Sequence, residues 1–125
     1  MPATDFVRDL GARWDGYDDG RYLVSLVIDK GRHQNGGGTV HGGVICSLLD
    51  AAMGKVFYDS IAESGSKTAT LEIKVNFLKA AKLGTLRAYG TLVKGTRRTG
   101  YVEGHIEDDD GNLIAKGSST FIVLV

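Results

Sequence analysis

Apolar residues recur at Val44, Ile45, Leu48, Leu49, Ala52, Met53, Val56 and Phe57, the spacing of one face of an α-helix. The stretch Thr39 to Tyr58, TVHGGVICSLLDAAMGKVFY, therefore predicts a helix of about four turns that opens on a His-Gly-Gly step. Gly43, Ser47, Asp50 and Gly54 fall in a narrow arc roughly opposite the centre of the apolar stripe. Between Gly42 and Tyr58 the side chains expected to be charged are Asp50 and Lys55, so the helix is predicted to be buried nearly all round. Gly54 inside a helix costs about 1 kcal/mol relative to Ala. Its presence predicts that something approaches the small-residue face beside Asp50.

The remaining pattern is mostly of period two. Asp5 to Leu10 reads as a short opening helix ended by Gly11. Arg21 to Asp29, RYLVSLVID, reads as a strand after the turn Asp18-Asp19-Gly20, paired as a hairpin with the residues around Ala12 to Tyr17. The run KGRHQNGGGTVHGG between this strand and the helix is predicted to be loop, its glycines permitting tight turns or close approach. After a polar connection at Ala62 to Lys67, TATLEIKVNFLK alternates: Leu71, Ile73, Val75 and Phe77 are predicted to share a buried face, with Thr70, Glu72, Lys74 and Asn76 on the other. Thr85 to Lys94, Thr99 to Glu107 and Leu113 to Leu124 are three further strands, separated by KGTRRTG and DDDGN. Consecutive strands with short connections and one long helix predict an α+β domain, an antiparallel sheet wrapped around that helix.

Composition narrows the function classes. The chain has 125 residues, room for one domain spanning residues 1–125. Fifteen basic residues balance fifteen acidic ones, so no net field points to nucleic acid or to a membrane surface. The single cysteine, Cys46, excludes an internal disulfide and a cysteine zinc cluster. The N-terminal stretch lacks the apolar run of a signal peptide, and no later stretch reaches the ~20 apolar residues of a membrane span. The expectation is a cytoplasmic protein.

Candidate chemistry gathers on the long helix. The glycine-rich loop closes with His41-Gly42-Gly43 rather than the Gly-Lys-Ser/Thr of a P-loop, and a dinucleotide fingerprint counted from Gly36 and Gly38 requires glycine where His41 stands. Backbone N–H groups at a helix start are unpaired and partly positive. Gly42 and Gly43 would leave them open to a ligand oxygen, the makings of an oxyanion site; the same glycines are equally compatible with simple loop-to-helix packing. Asp50, eight residues on and about 12 Å along the axis, is a candidate base or nucleophile, or else a carboxylate satisfied by a neighbouring partner. His41 reads as a positioning residue, and Asn35 as a turn residue or as an amide that polarises a carbonyl. No Gly-x-Ser-x-Gly elbow is present, and His33, His41 and His105 lack metal-ligand spacing, so neither a metal nor another cofactor is expected. Lys94, Arg97 and Arg98 suit a phosphorylated ligand or a solvated hairpin tip.

Asn35-Gly-Gly-Gly-Thr-Val-His41-Gly42-Gly43 followed by Leu48-Leu49-Asp50 and Ala52, with the later run from Thr70 to Gly84, resembles the hotdog-fold acyl-CoA thioesterases of the phenylacetate-pathway (PaaI-like) branch. The resemblance covers the chain from about Arg21 to its C-terminal end. It implies a homodimer or homotetramer with sites at the subunit interface and an acyl-CoA substrate. It also implies roles: Asp50 as catalytic carboxylate, the Gly42 N–H polarising the thioester carbonyl, Asn35 from the partner subunit positioning carbonyl or water, His41 as the motif histidine, and Thr70 beside the attacking water. Gly43 and the turn bearing Lys94, Arg97 and Arg98 are implied contacts for coenzyme A, although Gly95-Thr96-Arg97 departs from the tighter Gly-Arg spacing expected there. Two other functions remain on the same scaffold: a non-catalytic acyl-CoA binder, and a hydratase whose helix-borne Asp/His pair is not evident.

Overall fold

The computed structural model describes residues 5–124; residues 1–4, part of the N-terminal stretch read above as carrying no leader, and residue 125 lie outside the described residues. Helix α1 (Phe6–Leu10) starts on Asp5, whose carboxylate accepts from the N–H groups of Val7 and Arg8, and ends on Gly11 at φ 97°. Strands β1 (Arg13–Asp18) and β2 (Arg21–Val27) form the expected hairpin. Asp19 and Gly20, at φ 52° and 79°, occupy the left-handed conformations that a two-residue hairpin turn of this hand requires.

The segment read as loop contains one turn of helix, α2 (Lys30–His33). The Asp29 carboxylate caps it by accepting from the Gly31 and Arg32 N–H groups, while the buried His33 ring accepts at Nδ1 from the Asp29 N–H and bonds through Nε2 to the Leu10 carbonyl. Local side-chain hydrogen bonds, rather than apolar periodicity, make this turn, so the pattern does not show it.

Helix α3 (Gly42–Ser60) runs for 19 residues. A 3-10 turn (Ala62–Ser64) leads into β3 (Lys67–Phe77), followed by β4 (Thr85–Gly95), β5 (Thr99–Glu107) and β6 (Leu113–Leu124). All six strands pair antiparallel in the order β1-β2-β4-β5-β6-β3. The sheet curls around α3, which buries Leu48, Leu49, Ala52, Met53 and Phe57 completely.

The close wrap depends on glycines aligned across three strands. Gly90 pairs with Gly104, and Gly104 with Gly117. A Cβ on Gly90 would lie 2.5 Å from the Ala52 carbonyl oxygen, and one on Gly104 3.0 Å from Met53 Cγ. The helix backbone therefore rests almost directly on the sheet, an approach that only glycine permits.

Two expectations about burial are corrected. Helix α3 is not enclosed on all sides: Ser47, Asp50, Gly54 and Lys55 are half-buried and Gly43 and Tyr58 exposed, because the sheet covers one flank and leaves the other partly open to a groove. Strand β3 does not bury one clean face either. It is an edge strand with β6 as its one neighbour, so Ile73 and Val75 are half-buried while Leu71 and Phe77 stay 61% and 57% exposed.

The alternation along β3 is also broken. Thr70 pairs with Phe121 and Glu72 with Thr120, which leaves Leu71 as the extra residue of a β-bulge. Ser119 donates its hydroxyl hydrogen to the Glu72 carbonyl at 2.6 Å on the flank of the bulge. Residues paired across strands share a face, and Phe121 packs on Phe57 of α3 with ring centroids 5.9 Å apart. Thr70 therefore faces the helix, on the same side as Ile73, and not the polar face that simple alternation assigns to it.

Candidate active site

Asp50 sits on the open flank of α3, half-buried. The bulge in β3 turns Thr70 towards it, and the Thr70 hydroxyl donates to Asp50 Oδ1 at 2.7 Å. Because β3 returns antiparallel to the helix, α3 and β3 form two walls of one groove with this pair at its midpoint. One lobe, about 310 Å³, runs towards the helix start past Cys46, Ser47 and Ile73 and is roofed by Phe6 and Val7 of α1. The other, about 350 Å³, runs towards the helix end past Gly54, Lys55, Tyr58 and Thr68, with Trp14 and Phe121 at its sides. Both lobes have the size and mostly apolar lining of a small-molecule site.

The electrostatics of the groove centre on the carboxylate. The Cys46 thiol, one turn before Asp50, is pushed up from its ordinary value by burial and then by the Asp50 charge. Cys46 is therefore a protonated thiol at neutral pH, not a second nucleophile. Ser47 is not activated, since its hydroxyl donates to the Gly43 carbonyl at 2.8 Å. Gly54 is small in part for an internal reason: a Cβ there would meet the Phe121 ring at 3.3 Å.

The helix start forms a different depression of the same chain. Gly42 lies there with Ile45, Phe77 and Leu78, and a Cβ on Gly42 would touch the Phe77 ring at 3.4 Å. Among the described residues no backbone acceptor meets the Gly42 or Gly43 N–H, whereas the His41 carbonyl accepts from Val44 and Ile45. His41 occupies the N-cap position without a side-chain cap bond; its main chain braces the loop, its N–H donating to the His33 carbonyl. Asn35 spends its amide on its own turn, Oδ1 accepting from the Gly37 and Thr39 N–H groups and Nδ2 donating to Thr39 Oγ1. Lys94, Arg97 and Arg98 are exposed at the β4–β5 turn, where Arg97 borders a depression shared with Asp59 and Glu63.

The structure thus brings Asp50 and Thr70 into contact midway along α3 and keeps Gly42, Gly43, Asn35 and His41 at the helix start. Of the large apolar residues nearby, Met53 and Phe57 are core, Tyr58 lines the groove at Asp50, and Phe77 and Leu78 lie beside Gly42. Trp14 and Lys55, which the sequence does not single out, also line the groove. Trp14 reaches the groove because the β1 hairpin folds over the end of α3, which no local pattern announces, whereas Lys55 lies on α3 itself. Among the described residues no group of three or more His, Cys, Asp or Glu side chains is placed to hold a metal ion.

Residues 37–115, well over half the chain, match the family model of the thioesterase superfamily. The chain belongs to that superfamily. Its fold is that of hotdog thioesterases, an antiparallel sheet around one long helix. Among solved structures, it is similar to the conserved protein PA5202 of Pseudomonas aeruginosa at 30% identity, covering 98% of this chain and 95% of that one with a TM-score of 0.87. It is similar also to the BH2602 protein of Bacillus halodurans, solved with CoA, at 30% identity over 98% of this chain and 80% of that one, TM-score 0.90. A phenylacetic acid degradation-related protein of Ralstonia eutropha shares 26% identity over 98% of this chain and 92% of its own, TM-score 0.85. Among the described residues of this thioesterase-superfamily chain, no helix is long and apolar enough to cross a membrane.

Proposed function

We propose that the chain is an acyl-CoA thioesterase of the phenylacetate-pathway type that hydrolyses aryl- or fatty-acyl-CoA at Asp50. The observation that carries this reading is the Asp50 carboxylate at the midpoint of an apolar groove, oriented by a 2.7 Å hydrogen bond from Thr70. The carboxylate attacks the thioester carbonyl carbon or draws a proton from attacking water. Its anionic form suits either role, and the thiolate of coenzyme A leaves without strong acid assistance. The CoA-bound relative and the phenylacetic acid degradation-related one support the substrate class.

The developing oxyanion needs donors, and in one chain the Gly42 N–H lies about 12 Å along the helix from Asp50 and in a separate depression. The site is therefore completed by a second copy, whose Gly42, Gly43 and Asn35 face the Asp50 and Thr70 of the first. His41 of that copy holds the loop, and the basic turn at Lys94, Arg97 and Arg98 meets the phosphates of coenzyme A. A homodimer or homotetramer is the assembly this requires, and we place it in the cytoplasm. The same separation favours a second reading, a non-catalytic acyl-CoA binder, if the copies do not pair.

A coenzyme A release assay with a panel of aryl and fatty acyl-CoAs decides between them. Thiol release by the wild type, abolished in Asp50→Asn and Asp50→Ala with the assembly intact, is the expected result. Saturable binding without free thiol would establish the binder.

A further inference from the structure

The lobe of the groove that runs towards the helix end has a charged group at each end and aromatic walls between. Asp50 and Lys55 are the charged side chains that line it. They are five residues apart, about 7.5 Å along the axis, and the facing wall counts in step, with Thr70 beside Asp50 and Thr68 two residues nearer the helix end. That span matches an arylacyl group measured from its carbonyl to the far edge of its ring.

Lys55 is held in place. Its ammonium pairs with Asp59 Oδ1 at 2.9 Å, and the Tyr17 hydroxyl donates to Asp59 Oδ2 at 2.7 Å. The ammonium also lies 5.9 Å from the centroid of Tyr22 and 5.7 Å from that of Tyr58. Its charge is balanced by Asp59, and its side chain is about one-third exposed. An ammonium carries three donors, and Asp59 takes one.

Resting on the proposed thioesterase reading, we infer that Lys55 is a specificity-determining residue, selecting acyl groups that carry a neutral hydrogen-bond acceptor at the end distal to the thioester. A neutral acceptor is favoured over an anionic one because Asp59 already neutralises the ammonium and Asp50 sits at the other end of the same lobe. An aryl ring between Trp14, Tyr58 and Phe121 places a para substituent at the ammonium, whereas a plain alkyl terminus leaves a hydrated donor facing hydrocarbon.

The test uses two thioesters of nearly equal shape, 4-methoxyphenylacetyl-CoA and 4-ethylphenylacetyl-CoA. The wild type is expected to show about a tenfold higher kcat/KM for the methoxy compound. Lys55→Met, which keeps the apolar stem, should bring the ratio to near one, and Lys55→Arg, which keeps donors, should retain most of the preference. Calorimetric binding of both thioesters to Asp50→Asn protein, with and without Lys55→Met, reads the same preference without turnover. A ratio at or below one in the wild type, or one unchanged by Lys55→Met in both assays, overturns the inference. Absence of turnover with the binding preference intact would overturn the thioesterase reading and leave the Lys55 assignment standing.

Discussion

Thr70 donates its hydroxyl hydrogen to Asp50 across 2.7 Å, and it reaches the helix because β3 takes in one extra residue, Leu71. Without the bulge, the alternation of Leu71, Ile73, Val75 and Phe77 would carry Thr70 to the outer face. The bond takes up one lone pair of Asp50 Oδ1 and fixes the plane of the carboxylate, the kind of orientation that attack on a thioester requires.

Thr70→Val keeps the shape of the side chain and removes the donor. The expected result is a fall in kcat of about tenfold with KM little changed, while Thr70→Ser stays near wild type. Steady-state kinetics with the best acyl-CoA of the panel measure this. An unchanged kcat in Thr70→Val would show that the bond does not position the carboxylate.

The glycines beneath α3 predict a stability effect remote from the groove. Gly90→Ala places a methyl group 2.5 Å from the Ala52 carbonyl oxygen, so helix and sheet must move apart. Overpacking of this kind costs about 1–3 kcal/mol. Thermal unfolding of Gly90→Ala should show a clear drop in Tm, whereas Gly36→Ala, with open space at the Cβ position, should not.

Cys46 reports on the charge of Asp50. Burial and then the neighbouring carboxylate raise the thiol above its ordinary value, so at a given pH less of it is thiolate than in a free cysteine. Alkylation by iodoacetamide at pH 8 should therefore be slow in the wild type. Asp50→Asn removes the negative charge, lowers the thiol towards its ordinary value and should speed alkylation, shifting the rate profile to lower pH. A rate that is unchanged or slower in the variant would contradict the placement of the two groups.

Much of this molecule is readable in its residues, for identifiable reasons. The Asp18-Asp19-Gly20 turn, the helical stripe of α3 and the three strands after Gly84 are local signals, and each element forms where its own sequence places it. The bulge at Leu71 leaves no such trace, since the pattern around it alternates without interruption. The register of β3 against β6 decides it, and that depends on residues some fifty positions apart. The alignment of Gly90, Gly104 and Gly117 is hidden for the same reason. Asp50 stands out as a carboxylate among small residues, yet its partner Thr70 is found by pattern only on the wrong face. Trp14 comes to the groove through a hairpin that folds over from the other end of the sheet. The Gly42 N–H and Asp50 share a helix, but the residue count that places them about 12 Å apart does not show that they open into different depressions.

That separation leads to the most direct test of the site proposed here, in which Asp50 of one copy works with Gly42 of another. Gly42→Pro deletes the backbone N–H at the first helical position, where proline is well accepted, and His41 already holds φ −56° and ψ 137°, compatible with a following proline. Asp50→Asn and Gly42→Pro should each abolish coenzyme A release when expressed alone. Co-expressed with different tags and purified as the mixed pair, they leave one site with both Asp50 and Gly42 intact, and thiol release should return to about half the wild-type rate per pair. A mixed pair as inactive as its parents would show that the two residues act within one chain, and would contradict the account.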